Sequence, residues 1–280
     1  MNPSAKPSGN PSRTPSRRPV AAPAGNVVAN AAAGLGEIIY GRNPVREALR
    51  GRRRVRRAWV LPGRGGDDLA AEVASWAAAA GVASPPISPL PAQELVAAAG
   101  GPDHQGLVAE VDPYAYASLG TVLDGFDLVV ALDRIQDPHN LGAIIRTAEV
   151  AGAAVIIPRH RTAAVTGAVV KASAGATEHA AVAQVRNLTD FLDQAKQAGF
   201  WTYGADAAAA SAYSAQDYRG KTVFVVGSEG EGLGRRVAQA CDVLVAIPQL
   251  GKVGSLNVSV SAGVLLFEAL RQRRGGEGDA

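Results

Sequence analysis

From residue 128 onward, short apolar runs rich in β-branched residues alternate with stretches of helical period. Residues 128–132, 154–157, 180–185, 201–204, 222–226 and 243–247 read as strands. Residues 141–151, 165–174 and 188–198, a short stretch after Leu233, and a long run from Asn257 to Arg273 read as helices. Strands that are apolar throughout and separated by helices predict a parallel sheet covered on both faces. The preceding part has its own pattern. Residues 38–40 read as a strand, and Asn43 is placed to cap a helix that carries Pro44 in its first turn and stops at Gly51. A strand at 58–61, an alanine-rich helix from Asp67 or Asp68 to Gly81, a helix after Pro91 and a closing strand at 106–111 complete a small α/β unit. Residues 113–125 read as a connector.

The first 35 residues carry neither period. Prolines at 3, 7, 11, 15, 19 and 23 recur every four residues, and each removes a donor and clashes with the turn before it. The intervening Ser, Gly, Asn and Arg supply no core, so residues 1–35 are expected to be a disordered, basic tail.

Composition sharpens this picture. Hydrophobic residues make up 47% of the 280, enough for a sizeable core. The net charge of +3 conceals an asymmetry: residues 1–64 hold 13 basic groups against Glu37 and Glu47, whereas the remainder is acidic on balance. A basic front on an acidic body suggests a polyanionic partner, with nucleic acid ahead of a membrane. The single cysteine, Cys241, excludes an intramolecular disulfide framework and a multi-cysteine zinc site, and it reads as a small buried hydrophobe. The four histidines are scattered and predict no metal site. No apolar run approaches the roughly 18–20 residues of a membrane span. The first residues also lack the apolar stretch of a secretory signal, so a soluble cytoplasmic protein is expected.

Ligands of open parallel sheets bind where strands end, and three strand-to-helix segments have unusual composition. They are L-D-R-I-Q-D-P-H-N-L-G-A-I-I-R-T-A-E at 132–149, V-V-G-S-E-G-E-G-L at 225–233 and I-P-Q-L-G-K-V-G-S-L-N-V-S at 247–259. In the first, Asn140 is placed to cap the following helix, and Arg146 follows six residues later. In the second, Gly227, Gly230 and Gly232 match neither the dinucleotide fingerprint nor a P-loop. A nucleotide-binding oxidoreductase is thereby disfavoured.

Taken together and in this order, the three segments resemble the signature motifs of the SpoU/TrmH family of RNA ribose 2′-O-methyltransferases, of the SPOUT superfamily. Y-G-R-N-P-V-R-E-A-L-R at 40–50 and H-Q-G-L-V-A at 104–109 are similar to the family's substrate-binding domain, especially that of 23S rRNA guanosine 2′-O-methyltransferases of the RlmB type. The resemblance spans residues 37–273. It implies a substrate RNA-binding domain at 36–112, a linker at 113–124 and a methyltransferase domain at 125–276. That last domain is an α/β parallel-sheet fold with a deep trefoil knot, an exception to the rule against threaded chains. It further implies S-adenosylmethionine as methyl donor, contacted by Gly227, Ile247 and Leu256. Arg146 becomes the group at the reacting hydroxyl, with Asn140, Glu229, Ser255 and Asn257 orienting it and the ribose. The implied assembly is a homodimer with each active site completed near the subunit interface. The implied partner is RNA, 23S rRNA before others, with no metal and no membrane. A tRNA methyltransferase, a resistance rRNA methyltransferase and a non-catalytic ribosome-assembly factor on the same fold are the alternatives. The third segment departs from the family pattern at Gln249 and Gly254.

A guanidinium does not give up its proton at ordinary pH. Arg146 is therefore expected to act as a cation that holds the adjacent phosphate and steadies a developing alkoxide, while the hydroxyl proton leaves to water or phosphate.

Overall fold

The computed structural model describes residues 36–252 and 254–275; the expected tail at 1–35 lies outside them. The small domain runs β1 (Glu37–Tyr40), α1 (Arg42–Arg50), β2 (Val55–Val60), α2 (Arg64–Ala79), β3 (Ile87–Pro89), α3 (Ala92–Ala99) and β4 (Leu107–Val111). Its sheet has the order β1-β4-β2-β3; β4 is antiparallel to both β1 and β2, and β3 lies parallel to β2. Ile39, Ala58, Val60 and Ala109 of this sheet, with Val45, Ala48 and Leu49 of α1 and Val73 and Ala77 of α2, form its buried interior.

The second part runs α4 (Leu119–Gly125), β5 (Leu128–Asp133), α5 (Pro138–Val150), β6 (Ala154–Pro158), α6 (Gly167–Ala172), a 3₁₀ turn at Ala176–Glu178 and β7 (Val182–Val185). It continues with α7 (Leu188–Gln197), β8 (Trp201–Ala205), β9 (Ser211–Ala212), β10 (Thr222–Gly227), α8 (Arg235–Ala240), β11 (Val243–Ala246) and α9 (Val258–Gly275). All pairings in its sheet, ordered β7-β6-β5-β10-β8-β11-β9, are parallel. Alternate strand residues face opposite layers. Leu128, Val130, Leu132, Phe224 and Val226 pack under α5 and α9 through Leu141, Ile144, Ile145, Ala262, Leu265 and Leu266. Val129, Ala131, Ile156, Val223 and Val225 pack under α7 through Leu188, Phe191 and Leu192. Burial on both faces is why these strands carry no polar alternation. Among the described residues no helix is long and apolar enough to cross a membrane.

Several local expectations change. The connector holds α4, capped by Ser118, whose Oγ accepts from the Thr121 N–H at 3.0 Å, and Ala117 bridges to Ala183 at the edge of the parallel sheet. Helix α1 starts at Arg42, one residue before the expected cap Asn43, and Gly41 precedes it without a side-chain cap. Helix α2 starts at Arg64, ahead of Asp67. Strand β2 begins at Val55, so Arg56 and Arg57 of the basic run are strand residues. Short β3 and β9 were not legible. Cys241 is half-buried; its thiol donates to the Val237 carbonyl at 3.3 Å, and burial pushes its pKa up to about 12.

The two parts share one seam. Arg53 is buried there, with Nε donating to Glu178 Oε2 at 3.0 Å, Nη2 to Glu178 Oε1 and Nη1 to Glu37 Oε2 at 2.8 Å. Burial opposes the charge on Arg53, but the hydrogen bonds and charge of Glu178 outweigh it and raise its pKa. Gly175 has φ +89, and a Cβ there would lie 2.7 Å from Glu47 Cβ. That approach of α1 to the 3₁₀ turn therefore requires glycine.

Candidate functional site

The site is built where β5, β10 and β11 end. At the end of β5, Asp137 caps α5 with its side chain, accepting from the His139 N–H at 2.9 Å, and Pro138 is the first helical residue. The expected cap, Asn140, is instead inside the first turn. Its freed side chain turns toward β10, where Nδ2 donates to Glu229 Oε1 at 3.2 Å. Asn257 is the residue that caps a helix: its Oδ1 accepts from the Ser259 N–H at 2.9 Å at the start of α9. Its Nδ2 donates to Asn140 Oδ1 at 2.9 Å and to Glu229 Oε1. The Val258 N–H also points at Glu229 Oε1, at 3.4 Å. One carboxylate thus gathers both amides at the positive end of α9.

The loop after β10 is fixed from beneath. The Gly232 N–H donates to the Ser228 carbonyl at 2.9 Å, with Gly230 and Gly232 both at positive φ. Asp133 Oδ2 accepts from the Gly234 N–H at 2.7 Å, and Arg134 donates to the Gly232 carbonyl at 3.2 Å while pairing with Glu231. A Cβ on Gly227 would lie 2.1 Å from the Gly232 carbonyl oxygen.

Behind the Glu229 cluster lies a cavity of about 400 Å³ that Gly227, Ile247, Ser255 and Leu256 all line, a size within the roughly 300–1,000 Å³ of small-molecule sites. Val226, Val245, Ile247 and Leu256 make an apolar wall, whereas Asp206, Glu229 and Glu231 bring carboxylates. An adenosine carrying a cationic sulfonium and an ammonium fits that donor set: the wall suits the base and the acids suit the charges. Gln249 and Gly254, where the sequence departs from the family pattern, line the same cavity. A neighbouring cleft of about 330 Å³ is bounded by Arg134, Gln136, Asn140, Ser228 and Glu229. Glu229 therefore lines both spaces, whereas Asn140 lines only the second.

Arg146 stands apart. It lies six residues beyond Asn140, about 9 Å along α5, and is exposed on a different cleft, opposite α1. Among the described residues it has no hydrogen-bond or ion-pair partner. The sequence reading missed Asp133, Arg134 and Asp206. Arg134 sits at φ +63, a left-handed conformation that no residue-type preference announces for arginine. Among the described residues no cluster of three or more His, Cys, Asp or Glu could hold a metal ion.

Alanine at 227 is expected to displace the 228–233 loop. Overpacking of about 1–3 kcal/mol, borne by the loop that lines the cavity, should appear in calorimetry as roughly 5- to 150-fold weaker S-adenosylmethionine binding, with the fold intact by circular dichroism.

The same architecture occurs in known proteins. The profile of the SpoU rRNA Methylase family matches residues 127–267, and that of the RNA 2′-O ribose methyltransferase substrate binding domain matches residues 38–117. YacO of Bacillus subtilis, named for the TrmH family of tRNA/rRNA methyltransferases, is 38% identical over 244 residues, covering 85% of this chain and 96% of its own. The tRNA/rRNA methyltransferase slr0955 of Synechocystis is 39% identical over 244 residues. There the match covers 85% of this chain but 63% of the longer relative. The AdoMet-bound rRNA methyltransferase of Sinorhizobium meliloti superposes with a TM-score of 0.70 at 26% identity, over 89% of this chain and 94% of that one.

A parallel sheet with a glycine-rich cavity at its strand ends, preceded by a small module that matches an RNA 2′-O ribose methyltransferase substrate-binding domain, defines an S-adenosylmethionine-dependent RNA methyltransferase. The chain belongs to the SpoU rRNA methylase family, also called SpoU/TrmH.

Proposed function

We propose that the protein methylates the ribose 2′-hydroxyl of a guanosine in 23S rRNA, in the cytoplasm and as a homodimer. The observation that carries methyl transfer is the Asn140–Glu229–Asn257 cluster, in which Glu229 lines both the cavity and the neighbouring cleft and Asn140 lines the cleft; the 23S target is supported by the resemblance of residues 40–50 and 104–109 to RlmB-type enzymes. S-adenosylmethionine, when bound, supplies an electrophilic methyl group. The work left to the chain is alignment. Gly227, Ile247 and Leu256 line the cavity through which the donor is held, and Ser255 stands at the same wall as a hydroxyl partner for the ribose. Glu229 presents an acceptor whose direction is set by Asn140, Asn257 and the Val258 N–H. Arg146, too far along α5 to join this cluster, serves the site of the second copy, where its charge binds phosphate and steadies the attacking oxygen. Exposed Val260 and Phe267 on α9 support pairing through this helix. In this reading the segment that joins β11 to α9 forms the family's trefoil knot with the 228–234 loop.

The test is incubation with methyl-labelled S-adenosylmethionine and either 23S rRNA fragments or tRNA, followed by mapping of 2′-O-methyl sites. Label in a 23S guanosine is expected. Label in tRNA alone replaces the target, and no transfer to any RNA leaves the non-catalytic assembly factor.

A further inference from the structure

Helix α1 carries Arg42, Arg46 and Arg50 at i, i+4 and i+8, a spacing that forms a stripe along one helix face. Arg42 is engaged by Glu72 of α2. Arg46 and Arg50 instead line a cleft of about 380 Å³ between α1 and α5, with Arg146 on its opposite wall.

The charges in this cleft are arranged around one carboxylate. Glu47 Oε1 accepts from Arg46 Nε and Arg50 Nη1, both at 3.1 Å, and Oε2 accepts from Arg50 Nη1 at 3.1 Å. The His179 ring nitrogen lies 3.0 Å from Oε2. Glu47 is mostly buried, with 13% of its side chain exposed, whereas Arg46 and Arg50 are 45% and 58% exposed. Burial raises the pKa of Glu47, but the hydrogen bonds from His179 and Arg46 and the charge of Arg50 overcome it and hold it below the usual value. The other carboxylate lining the cleft is Glu149. Three guanidinium groups therefore face two carboxylates, and Arg146 is unengaged.

We infer that this cleft is a phosphodiester-binding site for the RNA substrate, with Glu47 as a built-in counter-ion that an incoming phosphate displaces from Arg46 and Arg50. The inference rests on the RNA-methylating reading and deepens it, by placing the backbone of the substrate across the seam between the two parts of the chain. Arginine forks match phosphate in two parallel hydrogen bonds. One helical step of four residues separates Arg46 from Arg50 by about 6 Å along the axis, on the scale of one nucleotide of backbone. Asn43, exposed on the same wall, adds a neutral partner suited to ribose hydroxyls. The Glu47 Cβ packs close to Gly175 and its carboxylate lies 3.0 Å from the His179 ring nitrogen, so Glu47 stays beside the arginines and re-engages them when the phosphate leaves.

The experiment measures binding of a 23S rRNA fragment to the full chain by fluorescence anisotropy across a salt series, with S-adenosylmethionine affinity measured in parallel. The double variant Arg46→Ala with Arg50→Ala is expected to bind RNA at least about tenfold more weakly at low salt, with the slope of log affinity against log salt reduced by about 1.5. Its cofactor affinity should stay unchanged, and its melting temperature should fall only modestly, because Glu47 loses two cationic partners but keeps His179. Glu47→Gln is expected to bind RNA about threefold more tightly, because the competing charge is gone. A double variant that binds like the parent overturns the inference, as does weaker binding by Glu47→Gln. In either case a parent protein that still binds RNA and transfers methyl leaves the functional reading standing. A parent that binds no RNA and methylates none removes that reading first, and the inference with it.

Discussion

Arg146→Ala is expected to abolish methyl transfer while S-adenosylmethionine binding is retained. The rate loss is expected to be at least about 10²–10³-fold, the range for removing one group that stabilises developing negative charge. Cofactor affinity should survive because Arg146 lines neither the cavity of Gly227, Ile247 and Leu256 nor the cleft of Asn140 and Glu229. Single-turnover transfer with labelled donor, beside calorimetric binding, separates the two quantities. Turnover near the parent value removes Arg146 from the reaction. Arg146→Lys divides the remaining possibilities: a role as charge alone retains part of the rate, and a role as planar fork loses nearly all of it. Co-expression with Glu229→Ala chains is the corresponding test of geometry. Transfer returns in mixed dimers when Arg146 and Glu229 of one site come from different copies, and stays absent when they come from the same one.

Glu178→Ala is expected to be the most destabilising single substitution at the seam. Its carboxylate is fully buried and takes two hydrogen bonds from Arg53, which is itself 6% exposed. Removing it strands a buried guanidinium, a change that typically costs about 3–5 kcal/mol. Glu37 remains as a partner at 2.8 Å, and the Tyr114 ring lies 5.3 Å below the charge, so the lower end of that range applies. Denaturant unfolding measures it as a lower midpoint. The paired change Arg53→Met with Glu178→Leu should recover most of the loss, since apolar replacements of similar volume are often neutral. If the double change is as damaging as the single one, the seam depends on the ion pair itself and not on the absence of an unpaired charge.

What was readable in the chain follows from the range over which each signal acts. The apolar strands and their intervening helices were legible because burial on both faces leaves its mark within each strand. The gathering of Asn140, Glu229 and Asn257 rested on three motifs in order, since residues 89 and 28 apart carry no local sign of contact. The cap of α5 was misplaced although its signal was present: Asp137 followed by Pro138 marks a helix start better than Asn140 does. The separation of Arg146 from Asn140 was also implicit in the helical rise. Arg53 was not legible at all. In the run 52–57 it looks like part of a solvated basic patch, and Glu178, which buries it, is 125 residues away. Arg134 escaped for a related reason, since its backbone conformation is imposed by the loop it supports.

The seam has a consequence for engineering target choice. Residues 175–180 receive Arg52, Arg53 and Glu47 from the front of the chain: Arg52 Nη2 donates to the Ala180 carbonyl at 2.6 Å, and Glu47 rests on Gly175. Grafting another relative's substrate-binding module in place of residues 38–117 would orphan Glu178 unless an arginine returns at the position of Arg53. A functional chimera must therefore exchange the module together with the turn that receives it.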